Sequence, residues 1–351
     1  MSTPPTSHRA AILPEKGSPL SITPRQTPTP GPTEVLVKVH AIAINPVDHY
    51  QRDLGFPPIP HYPTVLGSDT AGTIVSLGSE VPPDTPRPGT RVVALASGFY
   101  KENRGDYGAF QEYVLTSPEN LAVLPDSVSF EEAAILPLAV FTAWNGWCVA
   151  GLDHETKYTP ANGEKRALLV WGGASSVGSV AVQIAKGMGF VVYVTASAKH
   201  HEYMKELGAD RVFDYRDGDA VSQIIGAARG DGVTLRIAYD AVPGSLEPTL
   251  EVLGALKGEE TARIAFAPPL PADAPTVEGI ETKFVLPPME PGALKERFFK
   301  TFRVWLSEKL ASGEFVPSPR VQVAQGGLEG LNEALDVLKG GVSGTKIVLK
   351  L

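Results

Sequence analysis

Residues 167–189, Ala-Leu-Leu-Val-Trp-Gly-Gly-Ala-Ser-Ser-Val-Gly-Ser-Val-Ala-Val-Gln-Ile-Ala-Lys-Gly-Met-Gly, constrain the fold of this chain more than any other stretch. Residues 167–171 form a short apolar run, as expected of a strand buried on both faces of a parallel sheet. Gly172 and Gly173 break it. From Val177 onward the apolar residues recur at Val180, Ala181, Ile184, Ala185 and Met188, one face of an amphipathic helix. Strand, glycine turn, small residues and helix, in that order, aim free backbone N–H groups and the positive end of a helix dipole at one point. A pyrophosphate fits there. Gly172, Gly173, Ser175, Ser176, Val177 and Gly178 are therefore candidate cofactor-binding residues. A turn of this kind also serves as plain structure, so its surroundings must decide.

A chain of 351 residues buries a large core and suits two domains. Its formal charge of −8 offers no basic patch for nucleic acid. No apolar run reaches membrane-spanning length, and the N-terminal region lacks a signal peptide's apolar core. The single cysteine, Cys148, excludes an internal disulfide and a cysteine-rich zinc site. A cytoplasmic location is expected. Cys148, near Trp144 and Trp147, reads as a small buried hydrophobe. His40, His49, His61 and His154 lack metal-ligand spacing and read as surface or packed residues.

The first 136 residues read mainly as β: strands at 35–44, 73–75, 91–95, 110–115 and 121–124, divided by Pro/Gly turns. Small and apolar residues alternate around Gly67, Gly72 and Gly78, which suggests a tightly curved barrel. A helix interrupted at Pro137 spans 131–150, followed by a polar insertion at 153–165. From residue 167 strands and helices alternate, with strands at 190–195, 211–214, 235–239 and 261–266. That alternation calls for a parallel, doubly wound sheet with helices on both faces. A Pro-rich excursion follows. A long helix at 293–311 then carries the stripe Phe298, Phe299, Phe302, Trp305 and Leu306, read as core. A helix at 327–338 and a strand at 346–351 close the sequence. The closing strand pairs more naturally with the first domain, which makes the nucleotide domain an insertion.

The second strand of a dinucleotide fold ends at the adenosine ribose, where a carboxylate selects NAD and positive charge selects NADP. Here that strand ends Thr195-Ala196-Ser197-Ala198-Lys199-His200, with no carboxylate before Glu202. Ser197 and Lys199 can donate to a 2′-phosphate, which points to NADPH. Ser197 also reads as a helix cap and Lys199 as a solvated charge. Tyr215, after the third strand, is a candidate for adenine or the phosphate, or for packing.

Five stretches together resemble the medium-chain dehydrogenases/reductases almost end to end. They are Asn45-Pro-Val-Asp-His-Tyr-Gln-Arg, Gly67-Ser-Asp-Thr-Ala-Gly-Thr-Ile-Val, Leu136-Pro-Leu-Ala-Val-Phe-Thr-Ala-Trp, Trp171-Gly-Gly-Ala-Ser-Ser-Val-Gly and Gly340-Gly-Val-Ser-Gly-Thr-Lys-Ile-Val-Leu. The first is similar to the quinone oxidoreductase signature. The fourth resembles fungal members, including trans-acting enoyl reductases that serve polyketide synthases. It departs from the commoner loop at Ser175 and Ser176, whose hydroxyls would add phosphate contacts. The resemblance implies an α/β architecture: a GroES-like β-barrel catalytic domain at 1–136, a Rossmann NADPH-binding domain at 137–312, and a return to the catalytic domain at 313–351.

Zinc alcohol dehydrogenases place a cysteine where this chain has Asn45 and a histidine where it has Ser68, and neither replacement is a zinc ligand. No metal is therefore expected. Hydride transfer to a polarised C=C bond needs less help than alcohol oxidation, because the charge appears as a delocalised enolate. The resemblance further implies that Asn45, Asp48, Tyr50 and Thr142 lie beside the nicotinamide or the substrate. Asn45 would hold the cofactor amide or the substrate carbonyl, Tyr50 would donate to the enolate, and Thr142 would orient the nicotinamide. Asn45-Pro46 also reads as a turn and Asp48 as a helix-start group. Lys346 would reach the pyrophosphate, or is solvated. The expected activity is NADPH-dependent reduction of an enone or enoyl thioester, with an acyl carrier domain of a polyketide synthase as the partner the resemblance raises. Quinone reduction and NADPH binding without catalysis are the alternatives.

Overall fold

The computed structural model describes residues 4–160 and 165–351. The chain divides into two compact units, Met1–Leu138 with Pro291–Leu351, and Ala139–Glu290. The first begins with strands β1 (Ser7–Leu13), β2 (Ser21–Gln26) and β3 (Val35–Ala43). Helix α1 (Pro46–Leu54) follows, with proline at its first position, where the missing N–H costs nothing. Then come β4 (Thr64–Val65), β5 (Asp69–Leu77), β6 (Arg91–Leu95), β7 (Tyr113–Thr116), β8 (Leu121–Val123) and the short helix α2 (Phe130–Ala134). Ser129 and Glu132 cap α2 reciprocally. Strands β1 and β2 were not evident from sequence, because Pro24 and scattered polar residues mask their alternation.

The second unit opens with helix α3 (Pro137–Val149), whose first two residues belong to the first unit. It continues through β9 (Lys165–Trp171), α4 (Ser176–Gly187), β10 (Val191–Thr195), α5 (His201–Glu206), β11 (Arg211–Phe213), α6 (Ala220–Asp231), β12 (Val233–Asp240), α7 (Leu246–Leu256), β13 (Ala262–Phe266) and β14 (Ile280–Phe284). All six strands are parallel, in the order β11-β10-β9-β12-β13-β14. This is the doubly wound order, with its direction switch between β9 and β12. Ala167, Leu169, Tyr193, Leu235 and Ile264 lie in its core. The sixth strand, β14, falls inside the Pro-rich excursion and is mostly exposed, so hydrophobic patterning did not reveal it. Of the polar insertion expected at 153–165, residues 161–164 lie outside the described residues.

The return to the first unit starts at Pro291, earlier than the expected boundary at 312. Helix α8 (Pro291–Phe298) passes into a π-helical stretch (Phe299–Leu306) and then α9 (Ser307–Ser312). Phe298, Phe302 and Leu306 are buried, while Phe299, expected in the same core stripe, is exposed. The wider π turn carries it off the apolar face. Strand β15 (Arg320–Ala324), helix α10 (Leu331–Lys339) and strand β16 (Thr345–Lys350) complete the unit. Its larger sheet runs β15-β16-β3-β5-β6-β8, with β7 also on β3, and β2-β1-β4 form a smaller one. Phe110, Ile42, Ile74, Leu331, Leu335 and Ile347 share one core.

Candidate active site

Strand register assembles the first of two groups of polar residues. In the first unit, β3 lies between β5 and β16, and Ala43 stands opposite both Asp69 and Val348. Directly paired residues share a sheet face, as do residues two apart, so Asp69 and Lys346 point the same way. Asn45 follows β3 at the start of α1 and reaches the same place. The Asp69 carboxylate accepts from Asn45 Nδ2 at 2.9 Å, from the Leu138 N–H at 2.6 Å and from Lys346 Nζ at 2.5 Å. Lys346 Nζ also donates to the Ile135 carbonyl at 3.0 Å. Lys346, expected at a pyrophosphate or in solvent, is buried in this ion pair with two of its donors taken. Asp69 stood in a quoted motif, but nothing in the sequence marked its partner.

Asp48, also wholly buried, accepts the Asn45 N–H at 2.7 Å through Oδ2. That bond is one arm of a capping box at the head of α1, and Asn45 Nδ2 donates to Asp69. Burial pushes the Asp48 carboxyl up to about 7, opposed by the Asn45 N–H and reinforced by the neighbouring Asp69. Tyr50 lies on the same helix, half-buried, with His49 packed edge-on at 4.3 Å between ring centres. Of the four catalytic candidates, Asn45 and Asp48 are in direct contact and Tyr50 is on their helix. Thr142 belongs to the second unit, on α3, where its carbonyl accepts the Tyr239 hydroxyl at 2.8 Å.

The second group is the turn between β9 and α4. Gly172 has φ +85°, a conformation that side chains resist. Its N–H donates to Thr195 Oγ1 at 3.0 Å, and the Gly173 N–H donates to the Thr195 carbonyl at 2.9 Å. Ser175 caps α4: its hydroxyl accepts the Gly178 N–H at 3.0 Å and donates to the Gly172 carbonyl at 2.8 Å. Its hydroxyl thus closes the loop instead of waiting for a phosphate. The N–H groups of Ser176 and Val177, in the first turn of α4, have no intrahelical acceptor and face outward from the helix head. A Cβ on Gly178 would lie 2.2 Å from the Gly172 carbonyl oxygen, so only glycine lets the helix start so close to the strand.

At the end of β10, Ser197 is buried and makes no cap bond, so its helix-cap reading is not realised. Instead Asp214, following β11, accepts the Ala198 N–H at 2.8 Å through one oxygen and the Arg216 N–H at 3.0 Å through the other. Those bonds, the Arg216 N–H foremost, hold the Asp214 carboxyl below its ordinary value. The sequence reading missed this clamp, because Asp214 lies just beyond the end of the neighbouring strand β11. Lys199 and Tyr215 are exposed, and the Arg216 guanidinium lies 5.6 Å from the Tyr215 ring centre. At the end of β12, Asp240 is buried against the Thr249 hydroxyl, and burial pushes its carboxyl up to about 7.

Comparison with known proteins decides the family. Residues 31–126 match the alcohol dehydrogenase GroES-like domain, and residues 176–257 match the zinc-binding dehydrogenase family. A trans-enoyl reductase of Aspergillus flavipes is 51% identical over 98% of this chain and 99% of its own length. The chain belongs to the medium-chain dehydrogenase/reductase superfamily, on its fungal trans-enoyl reductase branch. Another member of that branch, from Aspergillus terreus, is 51% identical over 81% of this chain and 93% of its own. Among solved structures, an alcohol dehydrogenase superfamily protein from Novosphingobium aromaticivorans shares the fold at 23% identity and TM-score 0.78, covering 98% of this chain and 99% of its own. The CurK enoyl reductase does so at 22% and 0.73, covering 99% of each.

A chain of this superfamily is an oxidoreductase served by a nicotinamide cofactor. The donor set does not fit the zinc that one family description carries. Among the described residues no group of three or more His, Cys, Asp or Glu is placed to hold a metal. Asn45 and Ser68 offer only an amide and a hydroxyl. No helix among the described residues is long and apolar enough to cross a membrane.

Proposed function

We propose that this chain reduces the C=C bond of an enoyl thioester or other α,β-unsaturated carbonyl, using NADPH and no zinc. The observation that carries the proposal is the 51% identity, over nearly the whole of both chains, to a trans-enoyl reductase. The glycine turn supports the cofactor: it leaves the Ser176 and Val177 N–H groups and the positive end of α4 for a pyrophosphate. Gly172, Gly173, Ser175 and Gly178 shape that cradle. Ser197, Lys199 and Tyr215 receive the 2′-phosphate, with Arg216 as a further cation. NADPH, when bound, supplies the hydride that the β-carbon takes.

The chain's own residues orient and protonate. Asn45 gives one N–H to Asp69, which fixes the plane of its carboxamide and presents the rest of that group to the cofactor amide or the substrate carbonyl. Tyr50 donates toward the enolate oxygen, whose charge is already spread over the conjugated system. Thr142 orients the nicotinamide, its backbone steadied by Tyr239. The α-carbon takes its proton from water or from Tyr50. Lys346 serves as the counter-ion of Asp69 beside Asn45. In the cell the substrate would arrive on the acyl carrier domain of a polyketide synthase, in the cytoplasm.

The test is nucleotide consumption with enoyl thioesters, small enones and simple quinones. Turnover of the first two with NADPH, little with NADH and unchanged activity after chelation are expected. Lys199→Ala should lower the NADPH-to-NADH preference about tenfold, an effect of about 1.4 kcal/mol. Rapid quinone turnover with every enone inert, or stoichiometric zinc by elemental analysis, would sink the proposal.

A further inference from the structure

The reaction just proposed uses Asn45, Tyr50 and Thr142 but gives Asp48 no task. Asp48 is as deeply buried as any residue in the first unit, and its two oxygens are treated unequally. Oδ2 accepts the Asn45 N–H, while Oδ1 has no hydrogen-bond partner among the described residues. The neighbouring Asp69 carboxylate is saturated with three donors. Two carboxyl groups and one ammonium are thus enclosed together, out of reach of solvent. With both carboxyls ionised the group carries a net negative charge, and Oδ1 is an unsolvated anionic oxygen. A proton on Asp48 leaves Asp69 and Lys346 as a balanced pair. Buried charge without a partner is the more costly state by far.

Among the described residues no second cation is placed to change that balance. Asp69 faces Asp48 from β5 and Lys346 faces it from β16, while Asn45 contributes only an N–H. One turn further along α1, the Arg52 guanidinium is taken by Asp53 and by Asp336 of α10, and Lys339 of α10 also pairs with Asp53. His49 is held neutral more readily than usual by its burial.

Resting on the reductase reading, we propose that Asp48 is kept as a neutral carboxylic acid and serves as the positioning residue for Asn45. The neutral acid still accepts the Asn45 N–H, so the head of α1 stays closed. Asp69 remains the sole anion for Lys346 and for Asn45 Nδ2, and the Asn45 carboxamide has one orientation. Ionised, Asp48 competes for both donors and that orientation is lost. Burial raises the Asp48 carboxyl to about 7, so the working form dominates on the acid side of neutrality and is lost as pH rises.

The protonated-carboxyl C=O stretch in the infrared reads the proton directly, and Asp240, also buried and raised to about 7, is a second acid to separate from it. In Asp240→Asn protein a band present at about pH 6 should fade by about pH 8.5, and Asp48→Asn should remove it. The ratio of kcat/KM at those two pH values should be about tenfold in the wild type and close to one in Asp48→Asn. Should Asp48→Asn fail to fold, the band in Asp240→Asn protein carries the test alone. Its absence at about pH 6 overturns the proposal, as does an equal alkaline fall in wild type and Asp48→Asn. A missing band in an active reductase counts against neutral Asp48 alone. A titrating band in a protein inert toward every enone counts against the reductase reading alone.

Discussion

In the second unit, the turn from Gly172 to Gly178 closes on itself through Ser175 and leans on Thr195 at the end of the adjacent strand. In the first unit, Asp69 is held by Asn45, Leu138 and Lys346, and its partner lysine lies 277 positions away. One group is written into a few consecutive residues and the other into the register of a sheet. The difference shows in what each tolerates. A local turn fails by losing shape, whereas a charge cluster fails by leaving charge behind in a dry place.

Lys346→Met strikes the second kind of failure. It leaves Asp69 buried with an uncompensated charge and should cost about 3–5 kcal/mol, read by chemical denaturation. Asp69→Asn with Lys346→Met should recover a good part of that loss, and a double variant no better than the single would break the contrast. Next in size is pH. Asp48 in the first unit and Asp240 in the second are both raised to about 7, so each stabilises the fold below the ordinary carboxyl range and loses that contribution as pH climbs through 7. Unfolding free energies at about pH 5 and pH 8 should differ by on the order of 2 kcal/mol or more, and Asp240→Asn should reduce the difference.

Gly178→Ala tests the local turn. The added methyl meets a backbone carbonyl that has nowhere to move, so a loss of about 2 kcal/mol and a matching fall in nucleotide affinity are expected. Ser175→Ala removes only the cap and should cost about 1 kcal/mol, with affinity falling by less than in Gly178→Ala. Lys205→Ala, which breaks an exposed pair with Glu202 on α5, should leave the midpoint unchanged and calibrates the others.

The same contrast sets what the sequence could disclose. Strand β9, the turn and α4 were legible because period and glycine position act within two dozen residues. The alternation that followed was enough for the doubly wound sheet, although β14 hid behind prolines and exposure. Asn45 and Asp48 were legible through the resemblance of their motif. Their surroundings were not, because Asp69 meets Lys346 only through the pairing of β5, β3 and β16. Asp214 went unseen for the same reason: its hydrogen bond to Ala198 crosses from one strand end to the next. The long helix was read correctly as a helix and placed in the wrong unit, since its apolar stripe says that it packs and not on what.

The pairing of β16 with β3 has a consequence for synthesis. A ribosome delivers Asp48 and Asp69 early and the whole inserted unit next, and it supplies the ammonium they require only after a further stretch of chain. Until β16 docks, the first unit lacks the strand that joins β15 to β3 and the ammonium that pairs with Asp69, while the second unit already has every strand of its own sheet.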